Sequence, residues 1–333
     1  MRRLNMKLRT YAMFALLISV LLLVGCSDSE GSTDAQEEDT EKTEQATETE
    51  AKTISHLKGE TEIPENVEKV VALRPSYFDH LLTIGVKPVG VTAQAQYGGD
   101  YIPYLADQLE GAEIVGSAAE VNLEKILELE PDLILVDDYT ASEVYEDLEK
   151  IAPTVVLGAS SDEERNDPDF WQQDLMKIAK IFDKEDVAKE KIADLEEKVA
   201  EANETITNME NNRLAFLRIR EKVIQIYPET THPMVSLLYN DLGFEPAELT
   251  DEKERGDLSM EVIPELGADH IFLQVDSSGG PENYSSIQDS NLWKDLEAVE
   301  NENVLKTDFW IYKAWGAIGR TQMVEEAMEY VNE

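Results

Sequence analysis

Residues 122–135 read NLEKILELEPDLIL, and residues 259–272 repeat this pattern as SMEVIPELGADHIF. The two segments share glutamate, isoleucine and aspartate at the same positions. Shorter matches flank them in the same order, with IGVKP at 84–88 corresponding to LGFEP at 242–246. Ordered matches of this kind indicate an internal repeat, which predicts two similar lobes.

Strand and helix signals alternate around both copies of the repeat. Short apolar runs predict strands at 67–73, 88–93, 132–137, 154–157, 213–219 and 223–227. Helical periodicity predicts helices at 76–84, 123–129 and 141–151. This alternation indicates an α/β fold with two Rossmann-like lobes, each built on a largely parallel sheet.

The segment 168–209 differs because its helical periodicity is almost unbroken, with no Gly and no Pro after Pro168. It predicts a helix followed by a long, rigid helix that joins the lobes. The predicted organisation is a signal peptide at 1–25, a lipid-anchored disordered acidic tether at 26–52, an N-terminal lobe at 53–168, a helical linker at 169–211 and a C-terminal lobe at 212–333.

The N-terminus has the pattern of a secretory signal. Four basic residues precede an apolar run at 11–24, which is short for a transmembrane helix. The run ends in LLVGC at 22–26, which resembles the lipobox of bacterial lipoproteins. The resemblance implies cleavage before Cys26, lipidation of its thiol, and anchoring at the extracellular face of the cell membrane. The alternative is a buried or chance cysteine.

The chain of 333 residues carries 70 acidic and 29 basic residues, a formal net charge of −41. This excess argues against a nucleic-acid partner, because phosphates select the opposite sign. Residues 27–52 hold ten acids, two lysines and no large apolar residue, a composition that predicts disorder. The single cysteine excludes a disulfide framework.

A further set of motifs extends across the two predicted lobes. They are VVAL at 70–73, IGVKPVG at 84–90, NLEKI at 122–126, EPDLI at 130–134, NDLGF at 240–244 and ELGADHI at 265–271. Together they resemble the siderophore-binding lipoproteins of iron ABC importers, in the helical-backbone class III of substrate-binding proteins. The resemblance implies a monomeric, non-enzymatic receptor without a cofactor. Its ligand would be an iron(III)–siderophore complex of hydroxamate or citrate type, and its partners an ABC permease and the associated ATPase.

The same resemblance assigns a docking role to one glutamate at the top of each lobe. Glu124 and Glu261 lie at those motif positions, and the internal repeat pairs them independently. They are expected to contact arginines of the permease. The alternative is that each carboxylate only stabilises the positive end of a helix dipole.

The ligand pocket is expected to combine basic and aromatic side chains, because a ferric siderophore is bulky, oxygen-rich and often anionic. Arg218 and Arg220 lie at the end of the first strand of the second lobe, and strand alternation points them the same way. Arg218 matches an arginine of related citrate-siderophore receptors and is the first candidate. Its alternative role is a surface salt bridge. Tyr227 and His232 are further candidates in this lobe.

An aromatic loop, FWIYKAWG at 309–316, precedes the final helix. In the family that the chain resembles, this loop covers the ligand. The candidates are therefore Trp310, Tyr312, Lys313 and Trp315, together with Arg320 just beyond them. Each aromatic could instead pack in the core, and Arg320 could belong to the first turn of the final helix.

The first lobe offers Arg74, Tyr77 and Tyr97 as ligand-binding candidates. Arg74 follows the first strand of the lobe at its carboxyl end, where open α/β sheets bind ligands. Many hydroxamate and citrate receptors of the family carry an arginine shortly before the Asn-Leu-Glu motif. This chain has SAAE at 117–120 instead, which implies a different ligand geometry.

Other functions are less consistent with these residues. The chain has no GxSxG, P-loop or HExxH motif, which argues against a hydrolase. Its four histidines are scattered, which argues against a direct zinc or manganese receptor. A surface module that binds only protein would need no arginines and aromatics in a cleft. A vitamin B12 or haem receptor of the same fold is the closest alternative.

Overall fold

A computed structural model describes residues 52–94, 99–165, 167–230 and 232–332. The signal, most of the tether, Cys26 and Tyr97 lie outside these residues. Among the described residues, no helix is both long enough and apolar enough to cross a membrane.

The first lobe is built on a five-stranded parallel sheet. An antiparallel hairpin precedes it, β1 (Lys52–His56) and β2 (Gly59–Ile63), and the sheet consists of β3 (Val70–Ala72), β4 (Gly90–Ala93), β5 (Glu113–Ser117), β6 (Leu133–Asp137) and β7 (Thr154–Leu157). The strand order is β5-β4-β3-β6-β7. Every residue of β6 is buried, as expected for a parallel strand covered on both faces.

Helices follow the strands of this lobe. They are α1 (Pro75–Thr83), α2 (Ala106–Leu109), α3 (Leu123–Leu129), α4 (Asp138–Leu148) and α5 (Asp162–Arg165). The predicted helix at 123–129 and the predicted strand at 154–157 have the observed bounds. The predicted helix at 141–151 begins earlier, because the Asp137 carboxylate accepts the backbone N–H of Thr140 at 3.0 Å and caps α4.

Two helices connect the sheets, α6 (Phe170–Ile181) and α7 (Glu185–Thr207). This matches the prediction of a helix followed by a long helix. Trp171, Leu175 and Ile178 of α6 are buried at helical spacing. The 23 residues of α7 bury Ala188, Leu195 and Ala202 at intervals of seven and Ile206 four residues later, while charged residues occupy its remaining faces.

The second lobe contains a mixed sheet. Its strands are β8 (Arg213–Ile219), β9 (Ile224–Ile226), β10 (Glu245–Pro246), β11 (Gly256–Leu258), β12 (His270–Val275) and β13 (Val304–Thr307). The main order is β11-β9-β8-β12-β13, and β10 pairs with β8. Strand β9 is antiparallel to its neighbours, because only four residues separate it from β8 and a parallel crossover needs many more.

Several short helices and one long helix complete this lobe. They are α8 (Pro233–Val235), which continues as a π-helical turn at Ser236–Asp241, α9 (Gly280–Asp289), α10 (Asn291–Lys294), α11 (Glu297–Glu300), α12 (Trp310–Lys313) and α13 (Ala317–Val331). Helix α13 packs on α7 and also on α1 of the first lobe.

The largest apolar core extends through both lobes. It includes Phe78 of α1, Leu175 of α6, Phe216 of β8 and Trp310 of α12, all of which are buried. Because a continuous core joins the lobes and the connecting helices, opening the cleft would expose apolar surface.

Candidate ligand-binding site

Arg74 of the first lobe meets Trp315 of the second lobe in the cleft. Arg74 is the extended N-cap residue between β3 and α1, and Pro75 occupies the first helical position after it. The guanidinium carbon of Arg74 lies 5.7 Å from the centroid of the Trp315 ring, a cation–π distance. The carboxyl end of β3 is therefore linked to the loop between α12 and α13.

From Trp315 a line of rings continues into the second lobe. The ring centroids of Trp315 and His232 lie 5.6 Å apart, and those of His232 and Tyr227 lie 5.7 Å apart. Both pairs are in edge-to-face contact. The Arg255 guanidinium lies 5.6 Å from the Tyr227 ring. Edge-to-face contacts of this kind fix ring orientations, so the line of Arg74, Trp315, His232 and Tyr227 forms an ordered polar and aromatic wall.

His232 is uncharged at neutral pH. It begins α8, and its Nδ1 accepts the backbone N–H of Met234 at 3.1 Å. This hydrogen bond assigns the ring proton to Nε2. Burial, together with Arg320, Arg255 and Arg218, lowers the pKa of His232 to about 4. The side chain can therefore donate one hydrogen bond from Nε2 without carrying a charge.

Arg218 forms a two-point ion pair with Asp276. Its Nε and one terminal nitrogen lie 2.8 and 2.9 Å from the two carboxylate oxygens. Arg220 approaches the same carboxylate at 3.5 Å, so the two arginines point the same way as predicted. Burial alone would lower the pKa of Arg218, but its bonds to Asp276 and Tyr227 raise the pKa overall. Asp276 thus compensates part of the positive charge at this end of the cleft.

The cleft contains two adjoining chambers that share Arg74, Ser76 and Trp315 as walls. The outer chamber has a volume of about 360 Å³ and is also lined by Ala118, Asp137, Tyr139 and Tyr312. The inner chamber has a volume of about 50 Å³ and reaches α6. The Arg74–Trp315 pair therefore stands at the boundary between an open space and a small enclosed one.

The sequence profile of the periplasmic binding protein family matches residues 70–309, a range that includes both sheets and the two helices between them. The chain belongs to the periplasmic binding protein family. Within this family, the space between the lobes is the expected place for a ligand, and the line of side chains from Arg74 through Trp315 and His232 ends at Tyr227, which is buried at 4% exposure.

Known members of the family resemble this protein over nearly its whole length. The Bacillus subtilis protein named "Probable siderophore-binding lipoprotein YfiY" is 28% identical over 94% of each chain. The Fe(3+)-citrate-binding protein YfmC of the same organism is 27% identical over 90% of this chain and 91% of its own. The structure of Staphylococcus aureus SirA complexed with staphyloferrin B matches with a TM-score of 0.65 and 27% identity, covering 84% of this chain and 98% of SirA. The predicted fold class and the resemblance are confirmed.

Two candidates from the aromatic loop lie in the core of this periplasmic binding protein. Trp310 is 0% exposed and packs against Phe272, with its Nε1 hydrogen-bonded to Glu326. Lys313 is 2% exposed and lies 2.6 Å from the same carboxylate. The one-turn helix α12 places Trp310 and Lys313 on its inner side, three residues apart. The position of Trp310 matches the alternative core interpretation, and the burial of Lys313 against Glu326 corrects its expected ligand role. Tyr312 and Trp315, by contrast, line the outer chamber.

Arg320 and Tyr77 are also buried. Arg320 belongs to the first turn of α13, donates from Nε to the Ala314 carbonyl at 2.8 Å, and stacks 5.0 Å from the Trp171 ring. It therefore joins α13 to α6 through the Trp171 ring. Tyr77 is 1% exposed within α1. The ligand role of Tyr97, outside the described residues, stays a prediction.

The two predicted docking glutamates are both exposed, but their local structures differ. Glu124 lies in the first turn of α3, which is capped by Asn122. Glu261 lies in a turn before a short 3₁₀ helix at Ile263–Glu265. In the second copy of the repeat, Pro264 occupies the position of Leu127 in α3, where an α-helix needs a backbone N–H that proline lacks, and the segment forms no α-helix. The helix-dipole alternative therefore applies to Glu124 and not to Glu261.

Two residues of the site had no role in the sequence-based expectations. Tyr139, at the start of α4, lines the outer chamber with 73% of its side chain exposed. An exposed aromatic residue directly after a buried strand could have indicated a binding surface. Asp276 follows β12 and pairs with Arg218. The register of β12 beside β8 creates this pair, and sequence spacing gives no sign of it.

Proposed function

We propose that this protein is an extracellular receptor that captures an iron(III)–siderophore complex in the cleft between its lobes and delivers it to an ABC permease. The observation that carries the proposal is the line of side chains from Arg74 through Trp315 and His232 to Tyr227. It offers a cation, hydrogen-bond donors and aromatic faces to a bulky, oxygen-rich ligand. The names of YfiY and YfmC and the ligand of SirA support the same ligand class.

Among siderophores, we favour a ferric hydroxamate over a ferric citrate complex. The positive and negative charges on the walls of the cleft largely cancel each other. Asp276 is bonded to Arg218, and Asp137 lines the same chamber as Arg74. The residues at 117–120 supply no additional arginine. A weakly charged hydroxamate complex suits such a cleft better than a strongly anionic complex, whose desolvated charge would need more cations.

Delivery requires attachment to the cell and contact with the permease. We propose that lipid on Cys26 anchors the receptor at the extracellular face of the membrane and that residues 27–52 act as a flexible tether. Glu124 and Glu261, both exposed, would contact the permease, and the ATPase would drive uptake. The receptor would act as a monomer.

The test is a ligand panel measured by tryptophan fluorescence and thermal unfolding. The panel contains a ferric trihydroxamate, ferric citrate, cobalamin and haem, with the iron-free trihydroxamate as the control. We expect the ferric trihydroxamate to quench fluorescence and raise the unfolding temperature, because a ligand that binds only the folded state stabilises it. Binding of cobalamin or haem without any ferric siderophore would overturn the proposed ligand class.

A further inference from the structure

The inner chamber adjoins the Arg74–Trp315 pair and is smaller and less open than the outer chamber. Besides these two residues it is lined by Ser76 and His80 of α1 and by Trp171 and Asp174 of α6. Its volume of about 50 Å³ is too small for an iron complex. At roughly 10–15 Å³ for each water-sized position, it could hold about four heavy atoms.

Three buried polar atoms around this chamber have no hydrogen-bond partner among the described residues. They are Nδ1 of His80, Nε1 of Trp171 and Oδ1 of Asp174. The three side chains belong to residues that are 1%, 4% and 5% exposed. Buried polar groups are nearly always hydrogen-bonded, so a cluster of atoms without hydrogen bonds, of which only Asp174 Oδ1 has a long ion pair, with Lys177 at 3.9 Å, indicates that the chamber receives polar atoms from outside the chain.

The chemistry of these atoms defines what the chamber can accept. The Trp171 N–H can only donate, and the Asp174 oxygen accepts when ionised. His80 is uncharged because burial, together with Arg74, lowers its pKa to about 3. A neutral imidazole can donate or accept at Nδ1, depending on its tautomer. A bound group must therefore provide both a donor and an acceptor.

The charges around the chamber oppose a fully charged guest. Arg74 and Asp174 contribute one charge of each sign to the chamber, and the ammonium of Lys177 lies 3.9 Å from the Asp174 carboxylate. Burial raises the pKa of Asp174 to about 6, although Lys177 and Arg74 oppose the shift. Asp138 and Arg165 pair at 3.8 Å near its outer side, where both are about half exposed. An ammonium group would be desolvated beside Arg74, and a carboxylate beside Asp174. In either case the charged group would lose its hydration, and a like charge nearby would offset the attraction to its partner.

We propose that the inner chamber binds the short, uncharged end group of a siderophore arm, an amide or a hydroxyl, while the iron centre occupies the outer chamber. This inference rests on the proposed function. An amide would direct its carbonyl to the Trp171 N–H and its own N–H to the Asp174 carboxylate. The receptor would thus select hydroxamate siderophores by the charge of an arm that is remote from the iron.

The test uses three linear ferric trihydroxamates with the same iron centre and different end groups: ammonium, acetamide and succinyl carboxylate. We expect the acetamide form to bind about 10-fold more tightly than either charged form. Trp171→Phe should weaken acetamide binding about 3- to 10-fold, the usual effect of losing one hydrogen bond. Asp174→Asn removes the negative charge and should move the preference toward the carboxylate form. Trp293→Phe, at a buried tryptophan in the core of the second lobe that lines neither chamber, is the matched control and should leave the ranking unchanged.

Each outcome separates this inference from the proposed function. Equal affinity for the three forms, or a ranking unchanged in both Trp171→Phe and Asp174→Asn, would show that the chamber holds only water and would overturn the inference alone. If none of the three forms binds the wild-type protein, the proposed preference for a ferric hydroxamate fails, and the inference with it, while the ligand panel decides separately whether the protein binds any ferric siderophore. Unfolding temperatures identify a variant that has lost its fold. If either Trp171→Phe or Asp174→Asn is lost in this way, the ranking measured with the other variant tests the inference.

Discussion

The carboxylate of Asp79 in α1 accepts the backbone N–H of Gly319 in α13 at 2.9 Å, so a residue of the first lobe caps the last helix of the chain. A second bond comes from the N–H of Ile318 at 3.1 Å. The N-cap residue of α13 itself is Gly316, which has no side chain for this purpose, and a Cβ there would overlap Asp79. The contact between the lobes therefore depends on the carboxylate of Asp79 and on the absence of a side chain at Gly316.

Replacing Asp79 with alanine should destabilise the protein by about 2–4 kcal/mol. The change removes a helix cap and leaves buried donors unpaired, including the Tyr104 hydroxyl that lies 3.1 Å from the carboxylate. Chemical denaturation measures the effect. The control is Asp147→Ala, which removes an exposed carboxylate paired with Lys150 and should cost less than about 0.5 kcal/mol. Similar losses in the two variants would contradict the capping role.

The contribution of Asp79 to stability should depend on pH in a defined direction. Burial raises its pKa to about 6, although the hydrogen bonds that it accepts oppose the shift. The folded state therefore binds a proton more readily than the unfolded state between about pH 4 and 6. The free energy of unfolding should decline over this interval as pH rises, by up to about 3 kcal/mol, and the contribution should be constant above it.

Asp79→Asn isolates this effect, because the other buried acids and histidines titrate equally in both proteins. The stability advantage of wild type over Asp79→Asn should be largest near pH 4 and should shrink until about pH 6.5. Denaturant unfolding at half-unit pH intervals gives the difference directly. A difference that grows with rising pH would mean that the buried carboxylate is more stable charged in the folded protein than in the unfolded chain.

Much of the site could be predicted because it lies at strand ends. Arg74 and Arg218 each follow or end a strand that apolar periodicity identifies, and carboxyl ends of parallel strands converge. Tyr227 follows the antiparallel strand β9, which the short turn after β8 places beside that strand. Trp315 and His232 lie in loops at the same end, and the structure brings them together. The motifs and the alternation of elements were thus sufficient for the main wall of the cleft.

The remaining features depend on orientation and on distant contacts. The one-turn helix α12 is too short for periodicity to show that Trp310 and Lys313 face inward. Asp79 was inconspicuous among the 70 acids of the chain. Its one local signal was its position within the otherwise largely apolar segment Tyr77–Leu82, where an acid needs a partner from elsewhere in the fold. Sequence spacing cannot identify a partner that lies 240 residues away.

The Arg218–Asp276 pair should determine how the cleft responds to ligand charge. Arg218→Ala should weaken binding of the ferric trihydroxamate at least about 10-fold, because it removes a donor and leaves Asp276 without its main partner. Asp276→Asn removes the negative charge that neutralises Arg218. It should therefore raise the affinity for the anionic ferric citrate complex several-fold relative to the hydroxamate. Fluorescence titration with both complexes measures these effects.

Strand β8 provides a matched control for this prediction. Arg213, at the opposite end of the strand, pairs with Asp269 at 3.2 Å. Arg213→Ala should alter stability but leave both affinities within about 2-fold of wild type, because the change is remote from the cleft. An unchanged affinity in Arg218→Ala would exclude Arg218 from the binding site. A loss in Arg213→Ala equal to that in Arg218→Ala would indicate a general effect on the sheet.

The docking role of Glu124 and Glu261 predicts a defect in uptake that is separate from ligand binding. Both side chains are exposed, so the double variant Glu124→Ala, Glu261→Ala should change the free energy of unfolding by less than about 0.5 kcal/mol. Ligand affinity should stay within about 2-fold, while uptake of the radiolabelled ferric complex by cells should fall more than about 10-fold.

The internal repeat supplies the control, since Glu128 and Glu265 occupy matching positions and are also exposed. Alanine at both of these positions removes the same charge and should leave uptake near normal. Equal loss in the two double variants would assign the effect to the general acidity of this surface, and full uptake in the Glu124/Glu261 variant would exclude the docking role.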